Sequence, residues 1–131
     1  RNTNLYGIYS IDRKTGERIP FSTNEVGTGE PFVYDTQLSD LAIDEEKETL
    51  YAADSINGQL FAIDLNTGNR RIVTNLTIEA YGEIIGTGSV NLQILATEQI
   101  AFIGNMERSA ISIVDLTTGE KVVLSKSESD Y

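Results

Sequence analysis

The chain has no cysteine, no histidine and no tryptophan, and only two prolines among its 131 residues. Without cysteine there are no disulfides, no thiol nucleophile and no cysteine-ligated zinc. Without histidine there is no Ser-His-Asp triad, no imidazole general base and no His-ligated metal. Cations are scarce as well: 10 Lys and Arg stand against 20 Asp and Glu, a formal net charge of −10. A phosphate backbone demands clustered cations, so nucleic acid is not an expected partner. No apolar run in the sequence approaches the roughly 18 to 20 residues that a membrane-spanning helix needs. The first residues carry no basic-then-apolar leader. The chain starts at Arg1 rather than Met, which points to a processed product or a segment cut from a longer protein.

What is present is one phrase written three times: IYSIDRKTG at residues 8–16, FAIDLNTG at 61–68 and ISIVDLTTG at 111–119. Asp12, Asp64 and Asp115 are thus 52 and 51 residues apart, a period of the length that marks tandem supersecondary units. Sliding by 51 lays residues 50–73 over 101–124 without a gap, and sliding by 52 lays residues 2–19 on the same template. Further upstream, SDLAID (39–44) falls on VNLQIL (90–95).

Within the unit every signal is β. Leu41-Ala42-Ile43, Leu50-Tyr51-Ala52, Leu60-Phe61-Ala62-Ile63 and Arg71-Ile72-Val73 are short β-branched and aromatic runs between turn residues. Asn57-Gly58 reads as a type I′ hairpin, which needs positive φ at both central residues. In Asp-x-x-Thr-Gly, the aspartate accepts N–H groups two or three residues on and the glycine closes the turn in the left-handed region. The phrase is therefore a hairpin turn, needed once per unit.

Four short antiparallel strands per 51 residues predict an all-β chain of β-propeller blades; a β-solenoid of stacked hairpins is the alternative. The expected division is the outer half of a blade at 1–24, full blades at 32–76 and 88–125, and a polar tail at 126–131. About two and a half blades close no ring and leave strand edges open. Partners are then expected to be the remaining blades of a longer chain or other copies of this one.

The stretch LYAADSINGQLFAIDLNTGNRRIVTN (50–75), the loop STN…GTGEPF (22–32) and the turn TTG…LS (117–125) carry a resemblance to a known group. They resemble tandem β-propeller repeats of secreted bacterial proteins, and are similar to NHL, YWTD and gluconolactonase-like six-bladed propellers. The Tyr-Trp-Thr-Asp signature itself is absent. The resemblance covers nearly the whole chain and implies a secreted or periplasmic location. It implies fold more than function, because propellers host enzymes, receptors and scaffolds alike.

Asp12, Asp64 and Asp115 are read as turn residues rather than calcium ligands, since each falls in a separate unit. Asp54, Asn105 and Asn2 are read as residues that start a hairpin. Tyr51, Phe61 and Phe102 are read as packing between sheets. Gly27-Thr28-Gly29 and Gly86-Thr87-Gly88 lead into no helix with a lysine, so they are not phosphate cradles. Asp40 and Asn91 each stand 24 residues before a turn aspartate, at the start of an innermost strand. In gluconolactonase-like propellers Glu, Asn and Asp side chains converge there on one divalent cation. The resemblance thus implies Asp40 and Asn91 as metal ligands, with Ca2+ the cation that such hard oxygens would take; polar residues at a channel rim are the other reading. The first functional expectation is a non-catalytic binding module presenting loops to a protein or glycan. The second is a lactonase-type hydrolase whose metal polarises an ester carbonyl. A third is a purely structural segment that assembles with another piece.

Overall fold

The computed structural model describes residues 6–78, 83–84, 90–107 and 109–126. Asn2, Gly86-Thr87-Gly88 and the tail past residue 126 lie outside them. The described chain is all-β and antiparallel. Strands β1 (Gly7–Ile11) and β2 (Arg18–Thr23) form a hairpin. Strands β3 (Leu38–Asp44), β4 (Thr49–Asp54), β5 (Gln59–Asp64) and β6 (Arg70–Asn75) form a four-stranded sheet in sequence order. A small hairpin, β7 (Thr77–Ile78) and β8 (Glu83–Ile84), follows in the connection. Strands β9 (Val90–Leu95), β10 (Ile100–Asn105), β11 (Ala110–Asp115) and β12 (Lys121–Lys126) form a second four-stranded sheet. No helix among the described residues is long and apolar enough to cross a membrane.

The sheet β3–β6 packs on both faces, with Leu41 and Ile43 of its edge strand β3 left exposed. One face packs Tyr51, Ala53, Leu60 and Ala62 against Leu92, Ala101, Ile103 and Val114 of the second sheet. The other packs Leu50, Ala52, Phe61 and Ile63 against Ile8, Phe21 and Phe32. Because neither face of β4 meets water, Leu50-Tyr51-Ala52-Ala53 is an unbroken apolar run rather than an alternating one. Burial of this apolar area is the main favourable term in the packing. In β10 and β11, with one face covered, buried and more exposed positions alternate.

Asp12, Asp64 and Asp115 each accept the N–H groups of the residues two and three ahead. Gly16, Gly68 and Gly119 follow with φ of 76°, 76° and 80°. The hairpin turn read from the sequence is therefore present at all three sites. The Asn57-Gly58 turn differs from its expectation. Only Gly58 is left-handed, with φ of 63°. The turn spans Ser55 to Gly58 because Asp54 Oδ1 accepts from Ile56 N at 3.0 Å and Asn57 N at 3.2 Å. An aspartate that caps both amides favours this four-residue turn over the two-residue type I′.

Polar latches tie neighbouring sheets at their outer strands. Arg70 on β6 is buried, with Nε donating to the Glu30 carbonyl at 2.7 Å. Its Nη1 donates to Ser22 Oγ at 2.9 Å and to the Thr23 carbonyl at 2.7 Å, and the guanidinium lies 4.8 Å from the Phe32 ring centroid. Burial lowers its pKa, but from a value so high that the cation persists. Fifty-one residues on, Lys121 Nζ donates to Thr74 Oγ1 at 3.2 Å. Gly68 sits so close to β2 that a Cβ would overlap the Phe21 carbonyl oxygen, and a Cβ on Gly119 would lie 2.6 Å from the Val73 carbonyl oxygen. Gly16 has open space at the same point of its turn.

These three turns make a graded test. Gly16→Ala is expected to cost only the left-handed strain, about 1 kcal/mol. Gly68→Ala must also displace β2 and is expected to cost clearly more, read as a larger fall in the urea midpoint. Equal losses at the two sites would show that β2 does not approach Gly68 this closely.

Candidate functional site

The two ends of the sheets differ in chemistry. At one end lie the turns after β1, β3, β5, β9 and β11, whose exposed large apolar neighbours, Ile11 and Leu95, belong to the strands and not to the turns. At the other lie the β2–β3 connection (24–37), the β4–β5 turn and the β10–β11 turn. Here Tyr34 is 81% exposed and Met106 73%, with Val33 and Ile56 also exposed.

Val33, Tyr34 and Ile56 stand on a braced backbone. Asn24 clasps Phe32 from both sides, Nδ2 donating to its carbonyl at 2.6 Å and Oδ1 accepting its N–H at 2.8 Å. Thr23 Oγ1 accepts the N–H groups of Glu25 and Val26 at 3.0 Å each. Phe32 itself is buried against Phe61, ring centroids 5.1 Å apart, so Val33 and Tyr34 follow directly from an anchored residue. Asp54, fully buried, accepts the Gln37 N–H at 3.2 Å through the same oxygen that holds the β4–β5 turn, while its Oδ2 accepts from Asn57 Nδ2 at 2.8 Å. Ser55 N donates to the Gln37 carbonyl at 2.9 Å. The connection and the turn beneath Tyr34 and Ile56 are thus joined through one buried carboxylate.

The sequence reading did not single out Tyr34, Ile56 or Met106. A signal was available: apolar side chains inside segments otherwise rich in polar and turn-forming residues, where turn chemistry alone would place polar residues. Tyr51 and Phe61 pack between sheets as expected, whereas Phe102 is only half-buried because its face of β10 is uncovered.

Asp40 and Asn91 lie near the start of β3 and β9, at this same end. Asp40 is half-buried and engages both carboxylate oxygens with backbone: Oδ1 accepts the Leu41 N–H at 2.9 Å and Oδ2 the Leu92 N–H at 2.7 Å. It therefore joins β3 to β9 directly beside Asn91. Asn91 is exposed and lines, with Gly104, Ala110 and Ile111, an open depression of about 310 Å3. The described residues hold no group of three or more Asp, Glu, His or Cys placed to ligate one metal ion. At the opposite end Asp44 joins the same two sheets, accepting from Gln99 Nε2 at 2.8 Å and from Lys47 N at 3.1 Å. The Lys47 N–H first, and then the Gln99 amide, hold its carboxyl below the usual carboxylate value.

No family model matches the chain, and no curated protein matches it. The functional reading rests on the residues just described.

Two outcomes are expected here. Asp40→Ala leaves the Leu92 amide without its acceptor and is expected to cost about 1–3 kcal/mol, measured by urea unfolding with and without Ca2+. A calcium-dependent gain in the parent chain that vanishes in the variant would instead assign Asp40 to a metal. A carboxylate whose folded pKa is depressed contributes stability above its unfolded value and loses it as pH falls through the folded one. Asp44→Asn is accordingly expected to flatten the fall in stability below about pH 4. An unchanged acid limb would show that the Asp44–Gln99 contact carries no weight in solution.

Proposed function

We propose that the chain is a run of β-propeller blades serving as a non-catalytic binding module of a secreted or periplasmic protein. Its loop end, carrying Tyr34, Ile56 and Met106, faces a protein or glycan partner. One observation supports this most: Val33, Tyr34 and Ile56 are exposed in a connection and a turn that buried hydrogen bonds hold together, whereas the turns at the opposite end expose no large apolar side chain of their own. Exposed apolar residues cost solubility unless something covers them. A tyrosine offers a flat apolar face with a polar tip, suited to stacking on a sugar ring or seating in a protein pocket. Rigid turns reduce the ordering cost of that contact.

The propeller reading draws support from antiparallel four-stranded sheets stacked face to face, with latches recurring 51 residues apart. Strands β3 and β9 meet through Asp40, through the Ser39 hydroxyl donating to the Val90 carbonyl at 3.3 Å, and through the shared apolar cluster. Innermost strands of adjacent blades would meet in this way.

The test is a screen of soluble oligosaccharides and of a peptide library against the parent chain, repeated with two variants. Binding that falls at least about tenfold in Tyr34→Ala/Ile56→Asp, but persists in Asn66→Ala at the opposite end, is the expected result. Binding lost only in Asn66→Ala would overturn the assignment of the loop end. Absence of any ligand in both libraries would remove the binding-module reading.

A further inference from the structure

Asn57-Gly58 is the one Asn-Gly pair in the sequence, and it lies in the β4–β5 turn with Asn57 exposed and Gly58 buried. Such a pair is reactive for a steric reason. Glycine carries no Cβ, so its backbone nitrogen can close onto the amide carbon of the preceding side chain. A C–N bond forms there, and the amide nitrogen leaves as ammonia with the Gly58 N–H proton. Water then opens the resulting succinimide to a carboxylate, as aspartate or as isoaspartate, according to which ring carbonyl it attacks. One amide and one water become one carboxylic acid and one ammonia, with no oxidant or reductant.

Asp54 holds both reacting groups. The nucleophile is the Gly58 nitrogen, whose N–H is donated to the Asp54 carbonyl at 2.9 Å. The leaving group is Asn57 Nδ2, which donates to Asp54 Oδ2 at 2.8 Å and to Asp35 Oδ1 at 3.4 Å. A carboxylate only accepts, so the amide must present its nitrogen to both. Ring closure requires these bonds to break first. The product cannot remake them, because hydrolysis replaces the donor by an oxygen that only accepts. Asp35, fully buried Asp54 and the new acid then meet where one amide joined two carboxylates. Like charges this close oppose joint ionisation, and Asp54 Oδ2 exchanges its donor for a repelling neighbour.

We propose that Asn57 is a deamidation site restrained by Asp54, and that its conversion is a one-way switch releasing the 24–37 connection from the β4–β5 turn. The junction between those segments runs through the same carboxylate. Asp54 Oδ1 accepts the Gln37 N–H at 3.2 Å together with the N–H groups of Ile56 and Asn57. The Ser55 N–H and hydroxyl donate to the Gln37 carbonyl at 2.9 Å and 3.3 Å. Displacing Asp54 therefore loosens the backbone on both sides of it. Fifty-one residues on, Arg108-Ser109 stands in place of Asn57-Gly58, so the chemistry belongs to one turn of the repeated unit. What the switch does to a ligand at Tyr34 rests on the binding-module reading; the switch itself is tested without a ligand.

The full chain is incubated in mildly alkaline buffer, folded and, in parallel, unfolded in guanidinium chloride, with conversion at Asn57 followed by peptide mass mapping. Conversion is expected to be at least about tenfold slower in the folded chain, because the turn must open first. The converted chain is then separated by its added charge and compared with the parent by amide hydrogen exchange. The Gln37 and Ile56 amides are expected to exchange at least about tenfold faster, and those of β10 and β11 at the parent rate. Asn57→Asp should reproduce the converted chain, while Asn57→Ala, which removes the donor without adding charge, should have a smaller effect. Where Asn57→Asp fails to fold, the chain converted in its folded state gives the same reading. Equal conversion rates in the folded and unfolded chains would overturn the proposal. So would unchanged exchange at Gln37 and Ile56, loss of protection throughout the chain, or an effect of Asn57→Ala as large as that of Asn57→Asp.

Discussion

Strands β4 and β5 have no solvent face, and most of the structure follows from that constraint. Two-sided burial forces consecutive apolar residues into β4 and β5, where Ala52, Ala53 and Ala62 are buried among the larger Tyr51, Leu60 and Phe61. It also forbids unpaired polar side chains there. Asp44 and Asp54, both buried, are accordingly saturated by amides. The neighbouring layers can be thinner and less apolar because each has one side to spare.

Packing of apolar faces is non-directional, so the alignment of the layers needs something more specific. The outer-strand latches supply it. Arg70 places a planar fork among a hydroxyl and carbonyls of the 22–30 segment and beneath it the Phe32 ring. A shift of one residue between the layers would strand a buried cation without acceptors, a cost far above that of losing one aliphatic contact. Lys121 makes the lighter version of the same contact at Thr74. At the inner strands Asp40 performs a comparable task, binding an amide of the next sheet. A residue type that suits metal chemistry here aligns two sheets.

The two ends then diverge because the turns solve different problems. Asp-x-x-Thr-Gly turns are closed by their own side chains, with contacts to neighbouring segments added at Gly68 and Asn66. The connection at residues 24–37 is anchored from below by Asn24, Arg70 and Asp54, which leaves its upper surface free of structural duty and able to carry Val33 and Tyr34. Rigid support and unpartnered apolar surface together distinguish that end from ordinary solvated turns.

Local chemistry was legible in the sequence wherever a residue and its partners lie within a few positions. The three turn aspartates, the left-handed glycines and the short strands follow from side-chain reach and backbone sterics alone. The four-residue shape of the Asp54 turn escaped because Asn57-Gly58 suits two turn types, and Asp54, also bonded to Gln37, decides between them. Burial was not legible. Leu60 and Ile111 hold the same position in the unit, one fully buried and the other exposed; Leu92 and Leu41 differ in the same way. Sequence sets which faces are apolar, because the period-two geometry of a strand fixes which side chains share a side. Only the tertiary structure decides which of those faces is covered, because burial is a property of two surfaces and a strand carries just one of them.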